Sequence, residues 1–202
     1  MTDIRPAQKD DKGTIAELIY SSGTELYDFI FATPNKSALE FIQFEYLSGR
    51  GFCGYHNVTV AVENDTVLGT GCFYDGHQYD ALVKGTLKNV FRFYGFFGAF
   101  KILARMRHTG SSMRVPRKDE VYLSNFGVSP ESRGKGIGAK MIARQKDICR
   151  EKRYKVLSLD VSDNNPRAES LYTRLGFQVM RVKEFSNKKA DIPITKEMKF
   201  IF

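Results

Sequence analysis

The stretch Ser129–Met141, SPESRGKGIGAKM, sets three glycines in a short basic run between the apolar segment VYLSNFGV (residues 121–128) and a segment with helical periodicity. A helix start leaves unpaired backbone N–H groups that carry partial positive charge, so a turn that crowds main-chain amides at that point suits an anion. Gly134, Gly136 and Gly138 lack β-carbons, which allows a ligand to come close and permits any positive φ the turn needs. Arg133 and Lys135 add charge. The alternative is an ordinary strand-to-helix turn with solvated cations, and the three glycines together with two cations favour the anion cradle.

The spacing narrows the kind of cradle. GxxxxGK[ST] is absent, and GKGIGA is not GxGxxG, so neither the P-loop nor the dinucleotide fingerprint fits. Beyond the turn, Ile137, Met141 and Ile148 form one apolar stripe and Ile142 and Cys149 its neighbour, while Lys140, Arg144 and Arg150 point outward. A strand, KVLSLDV, follows, and then NNPRAESLYTRLGF (164–177), which reads as a helix closed by Gly176.

Arg133-x-x-Gly136-x-Gly138 resembles the R/Q-x-x-G-x-G/A signature of the GCN5-related N-acetyltransferases (GNAT). The later segment resembles that family's N-x-x-A-x-x-L-Y-x-x-x-G-F motif through Asn165, Ala168, Leu171, Tyr172, Gly176 and Phe177. The resemblance is close over residues 121–177 and absent over 80–119. It implies an α/β (α+β) GNAT fold: a central mixed, mostly antiparallel twisted sheet of six to seven strands with splayed middle strands, flanked by helices, with a helical insertion before the fourth strand. One domain spanning 1–202, with the insertion at about 80–119, is expected.

The same resemblance implies acetyl-CoA as co-substrate and an amine acceptor. The pantetheine arm would lie between the parted strands, pairing with the main chain of Phe126 and Val128. The amides of Arg133, Gly134, Lys135, Gly136, Ile137, Gly138 and Ala139 would hold the pyrophosphate. Asn165 would touch the arm, or serve only as a turn or cap residue before Pro166. Tyr172 is the candidate acid for the departing thiolate, or else a packed aromatic beside Leu171 and Leu175.

Acetyl transfer needs a neutral amine, help for the oxyanion and a proton for sulfur. Phe126 N–H would polarise the thioester carbonyl. Strand alternation is expected to put Glu120, Tyr122, Ser124, Phe126 and Val128 on one side, making Glu120 and Tyr122 the candidate bases. Tyr122 stands where some relatives carry a glutamate, and Glu120 could equally be a solvated strand-end acid. The alternative to an enzyme is a non-catalytic acyl-CoA-binding module of the same fold.

Towards the amino end, the sequence predicts a short strand at TDIRPAQ and one helix over residues 12–31. A second helix is expected with Thr33 as cap and Pro34 in its first turn, stopping at Gly49 and Gly51. A hairpin follows through ENDT. Residues 80–119 read as one or two amphipathic helices and a loop. Tyr27, Phe31, Tyr46 and the aromatic run FRFYGFFGAFKILARMR are expected to bound the acceptor pocket, the run as wall or lid, as core packing or as a homodimer surface. Two closing strands are predicted, joined by the polar turn SNKKAD.

Hydrophobic content of 42% supports a real core, and the formal charge of +8 attracts polyanions without choosing among them. Cys53, Cys72 and Cys149 show no pairing pattern, and His56, His77 and His108 no ligand spacing, so buried thiols, a reducing compartment and no metal are expected. The amino end has no apolar signal core, and FYGFFGAF is too short to span a bilayer. Cytoplasmic residence without integral membrane attachment follows as the expectation. Lys84, Lys88, Arg92, Lys101, Arg105 and Arg107 read as a solvated helix face, or as a contact for anionic lipid or nucleic acid, with nucleic acid disfavoured.

Overall fold

The computed structural model describes residues 2–11, 14–108, 115–184 and 193–202. Seven strands form one sheet: β1 (Asp3–Pro6), β2 (Val58–Glu63), β3 (Thr66–Asp75), β4 (Glu120–Val128), β5 (Val156–Ser162), β6 (Gln178–Lys183) and β7 (Thr195–Ile201), in the order β1-β2-β3-β4-β5-β7-β6. All pairings are antiparallel except β4 with β5. The β2–β3 hairpin turns at Asn64 and Asp65, whose φ values of 50° and 59° are tolerated by short polar side chains.

The helices are α1 (Thr14–Tyr20), α2 (Thr24–Phe31), α3 (Ala38–Ser48), α4 (Tyr79–His108), α5 (Ile137–Glu151) and α6 (Pro166–Arg174). Strand alternation divides them between the two faces. Val58, Val60 and Val62 of β2 join Ile19, Ile30, Phe41 and Ile42 in a core beneath α1–α4, while Ala61 meets Ile137 and Met141 of α5. Under α5 and α6, Ile142, Cys149, Leu157, Leu159 and Met198 form the second core. Burying a side chain such as Ile142, which is 0% exposed, stabilises by about 1.5–3 kcal/mol.

Four expectations need correction. The single helix over 12–31 is two, because Ser21 Oγ and Ser22 Oγ donate back to Leu18 O (2.9 Å) and Ile19 O (2.6 Å), ending α1 just before Gly23. The next helix starts at Ala38 rather than in the Thr33–Pro34 turn. Ser37 Oγ accepts from Glu40 N–H and Glu40 accepts from Ser37 N–H, a reciprocal cap that outcompetes the proline turn, which is closed instead by Thr33 and Lys36. Gly49 ends α3 at φ 69°, as expected.

The third correction is in β4. Cys72 opposes Asn125 and Phe73 opposes Leu123, so Ser124 is an extra residue in the strand, a bulge. The alternation therefore flips: Tyr122 and Asn125 face the α1–α4 side, whereas Leu123, Phe126 and Val128 face α5 and α6. Glu120 and Tyr122 do not share a side with Phe126 and Val128.

The fourth concerns the insertion. α4 breaks at Gly95 (φ 69°, ψ 177°) and buttresses the outside of α2 and α3 with Val90, Ala99 and Ile102 fully buried. Tyr94 OH donates to Phe31 O at 2.7 Å and Arg105 Nη1 to Ala32 O at 2.6 Å. The run over 91–107 is thus core packing on one face, not a lid. No described helix is long and apolar enough to cross a membrane. The turn SNKKAD and the loop at 109–114 lie outside the described residues, and the three cysteines are buried thiols.

Candidate active site

The central feature is a seam that opens. β4 and β5 pair only from Glu120↔Val156 to Leu123↔Leu159, and beyond Leu123 and Leu159 they part. On its other side β4 stays paired with β3 as far as Val128. Ser129 N–H donates to Leu68 O at 2.9 Å, and antiparallel alternation then turns the Asn125 and Gly127 main chains toward β3. The main-chain groups of Phe126 and Val128 face the open gap. Arg133 Nε, at 3.3 Å, already uses the Val128 carbonyl.

The glycine turn stands at one mouth of this gap. Gly134 and Gly136 adopt φ 82° and 81°, the left-handed region that a β-carbon penalises, and the space before Gly136 is empty to at least 4 Å. The first helical bond of α5 runs from Lys140 N–H to Gly136 O, so the amides of Ile137, Gly138 and Ala139 lack an intrahelical acceptor. By contrast, the Arg133 and Lys135 amides already donate to Pro130 O and Ser132 O, both at 3.3 Å. The side chains of Arg133 and Lys135 are exposed, and Arg167 of α6 brings its Nη2 to the Gly134 edge. Gly138 serves packing: a β-carbon there would come within 3.2 Å of Leu171 and 3.3 Å of Phe126. Arg167 was not foreseen, although it lies inside the NNPRAESLYTRLGF motif.

Tyr172 projects from α6 into the wall of the gap. It is buried, with its ring 6.4 Å from Phe126 and 5.8 Å from Phe177. Among the described residues none hydrogen-bonds its hydroxyl, and burial pushes its pKa well above the ordinary tyrosine value. Asn165 caps α6, its Oδ1 accepting from Ala168 N–H at 3.1 Å, and it also borders the cavity described next.

On the α1–α4 side the gap leads into a cavity of about 370 Å³. Tyr27, Phe31, Phe41 and Phe52 supply apolar walls, and among the described residues Glu25, Glu45 and Asp160 supply carboxylates and Lys183 an amine. Tyr46 is elsewhere, donating to Gln8 O at 2.7 Å, and of the insertion's described residues only Thr86 reaches the lining. Tyr122 OH donates to Asp160 Oδ2 at 2.9 Å, and Lys183 Nζ sits 2.9 Å from both Asp160 oxygens. Glu45 is buried, accepting from Cys53 N–H at 3.2 Å and Asn89 Nδ2 at 3.3 Å; burial raises its pKa against these bonds. Tyr27 OH donates to Asn125 Oδ1 at 2.7 Å and tethers α2 to the bulged strand.

Glu120 does not join this group. It is fully buried, not a solvated strand-end acid, at the paired end of the seam, where Oε2 accepts from Arg117 N–H at 3.3 Å. Asp160 replaces it as the carboxylate nearest the parting strands. Periodicity could not find Asp160, because its partners on β4 and β6 are far apart in sequence.

A model of the acetyltransferase (GNAT) family matches residues 24–177. The chain belongs to this family. Among curated relatives, this GNAT protein is 43% identical to the thialysine N-epsilon-acetyltransferase of Bos taurus over 58 residues, 29% of this chain and 34% of that one. It is 38% identical to a 5-NmdU N-acetyltransferase of Pseudomonas phage PaMx11 over 63 residues, 31% and 43% of the two chains. The chain thus spans 33–43% of the length of the curated relatives it matches. In fold it resembles an N-acetyltransferase from Staphylococcus aureus Mu50 (TM-score 0.68, 19% identity, 98% and 100% of the chains covered). It also resembles the PaiA N-acetyltransferase of Thermoplasma acidophilum, solved with coenzyme A (TM-score 0.58, 13% identity, 100% and 99% covered).

Proposed function

We propose that this protein transfers the acetyl group of acetyl-CoA to a primary amine in a ternary complex, with the amine entering from the acidic cavity. The observation that carries the reading is the parting of β4 and β5 after Leu123 and Leu159, with a glycine cradle at one mouth and carboxylates at the other. The two sides differ in charge as two such substrates require: Arg133, Lys135 and Arg167 flank the cradle, and Glu25, Glu45 and Asp160 border the cavity.

The fit to acetyl-CoA rests on this chain's own features. Unused amides at the α5 start would bind a diphosphate, and the outward main chain of Phe126 and Val128 would pair with an extended amide-bearing arm. Acetyl-CoA supplies a thioester whose acyl carbon the amine attacks, giving an amide and free CoA thiol. Phe126 N–H is the donor aimed at the carbonyl oxygen, an interaction worth about 2.7–4 kcal/mol in such sites. Tyr172, protonated through burial and without another partner, supplies the proton to sulfur. Asp160, held by Lys183 and bonded to Tyr122 OH, receives the amine proton directly or through water.

The test is calorimetric titration of the purified chain with acetyl-CoA, followed by an amine panel read by release of free thiol. Binding with turnover on an amine supports the proposal. Binding without turnover across a broad panel replaces the enzyme with an acyl-CoA-binding module, and failure to bind removes both.

A further inference from the structure

Two features of α4 have no part in acetyl transfer. The first is a basic cavity of about 720 Å³ between the α3–β2 connection and the first turns of α4. Arg50, His56, His77, Lys84 and Lys88 line it, and no carboxylate is among the described lining residues. The second is an aromatic cluster at the Gly95 break. Phe97 is 84% exposed, Phe96 65% and Phe100 53%. Their rings lean on one another and on Phe91: Phe96 lies 5.0 Å from Phe100 and 5.7 Å from Phe97, and Phe91 lies 6.2 Å from Phe96.

The two features are continuous. Lys84, Lys88 and Phe91 follow i, i+4, i+7 spacing and so lie in one stripe of the helix, running from the basic cavity to the aromatic cluster. Lys84, Lys88, Arg92, Lys101 and Arg107 are exposed along α4, whose residues 81–107 contain no Asp or Glu. Arg105 is spent on the carbonyls at the end of α2. Large exposed apolar side chains grouped in this way, on a helix that carries cations and no acid over residues 81–107, mark an interaction surface rather than scattered surface hydrophobes.

We propose that this face of α4 docks on an anionic lipid bilayer, with a phosphate-bearing headgroup in the Arg50–Lys84–Lys88 cavity and Phe96, Phe97 and Phe100 set among the headgroups and upper acyl chains. Aromatic side chains beside lysine and arginine match the chemistry of a negatively charged interface. A second copy packed through the same helix face would set Lys84, Lys88, Arg92, Lys101 and Arg107 against their own counterparts. A nucleic-acid strand needs ring faces set in a row along a groove, whereas three of these ring pairs stand edge to face at 77° to 89°, at the break of one helix. Attachment is peripheral, since no described helix can span the membrane.

The test is co-sedimentation of the full chain with phosphatidylcholine vesicles that contain phosphatidylserine, and with vesicles of phosphatidylcholine alone. The wild type is expected to pellet with the first and not the second, and less as salt rises. The double variants F96S/F97S and K84E/K88E each lower the partition by roughly tenfold or more. Thermal unfolding and acetyl-CoA binding in solution stay unchanged, because these side chains are exposed and away from the cleft. Failure of the wild type to pellet with the serine-headgroup vesicles overturns the proposal. So does full vesicle binding by F96S/F97S, which would leave the cavity to a soluble phosphate. A lipid-free dimer that F96S/F97S dissociates, in a chain that ignores vesicles, assigns the face to a second copy instead. Phe-dependent binding to a single-stranded oligonucleotide in preference to vesicles likewise overturns it.

Discussion

Tyr122 OH donates to Asp160 Oδ2 at 2.9 Å, so a hydroxyl from the paired part of β4 reaches a carboxylate one residue past the last pair on β5. Lys183 Nζ, 2.9 Å from both carboxylate oxygens, fixes the orientation of Asp160 from β6. Three strands thus converge on one carboxylate at the point where the sheet opens.

Asp160→Asn keeps the shape of this group and removes its basicity. Turnover is expected to fall by about 10²–10⁴-fold, the usual range for a lost general base, with acetyl-CoA affinity unchanged by calorimetry. Tyr122→Phe leaves the carboxylate and costs less. Equal activity of wild type and Asp160→Asn would remove Asp160 from the chemistry.

Gly136→Val puts a β-branched side chain at φ 81° and fills the open space before the α5 amides. Backbone strain of about 1–2 kcal/mol is expected at an exposed turn, small enough for the fold to survive. Acetyl-CoA binding weakens at least about tenfold, since the amides can no longer approach a diphosphate. Arg167→Ala, which removes charge from the same edge without strain, weakens binding by a smaller factor.

Tyr172→Phe removes the hydroxyl but keeps the ring against Phe126 and Phe177, so stability and acetyl-CoA binding hold while turnover drops by roughly 10²-fold. Burial raises the Tyr172 pKa, and the wild-type hydroxyl therefore stays protonated as pH passes the ordinary tyrosine value of about 10. A pH–rate profile should show no loss assignable to Tyr172 below that point. A loss at lower pH that Tyr172→Phe abolishes would contradict its role as acid.

Glu45 couples stability to pH. Its folded pKa is raised by burial, so its favourable contribution is complete below the unfolded value of about 4.3 and is lost as pH rises through the folded value. Glu45→Gln, which cannot ionise, should gain in melting temperature relative to wild type as pH rises above the unfolded value of about 4.3. A difference independent of pH would show that Glu45 does not titrate there.

Much of the scaffold was legible because local rules acted alone. The hairpin through Asn64 and Asp65, the α3 stop at Gly49 and the α6 cap at Asn165 each depend on a few adjacent residues. Where two local signals competed, the reading failed: the Ser37–Glu40 reciprocal cap overrode Pro34, and the serine back-bonds divided the first helix. The Ser124 bulge gave no local sign, since it exists only as a mismatch between β4 and β3.

From the order of its residues alone, this chain determined a strand, a glycine turn and a helix start that together present main-chain donors. Those features arise within a dozen consecutive positions and need no distant partner. Which carboxylate stands at the open seam was decided only by the tertiary structure. Asp160, Tyr122 and Lys183 come from three strands, and the side toward which each points depends on strand register and on one extra residue in β4, neither of which is encoded at the site itself.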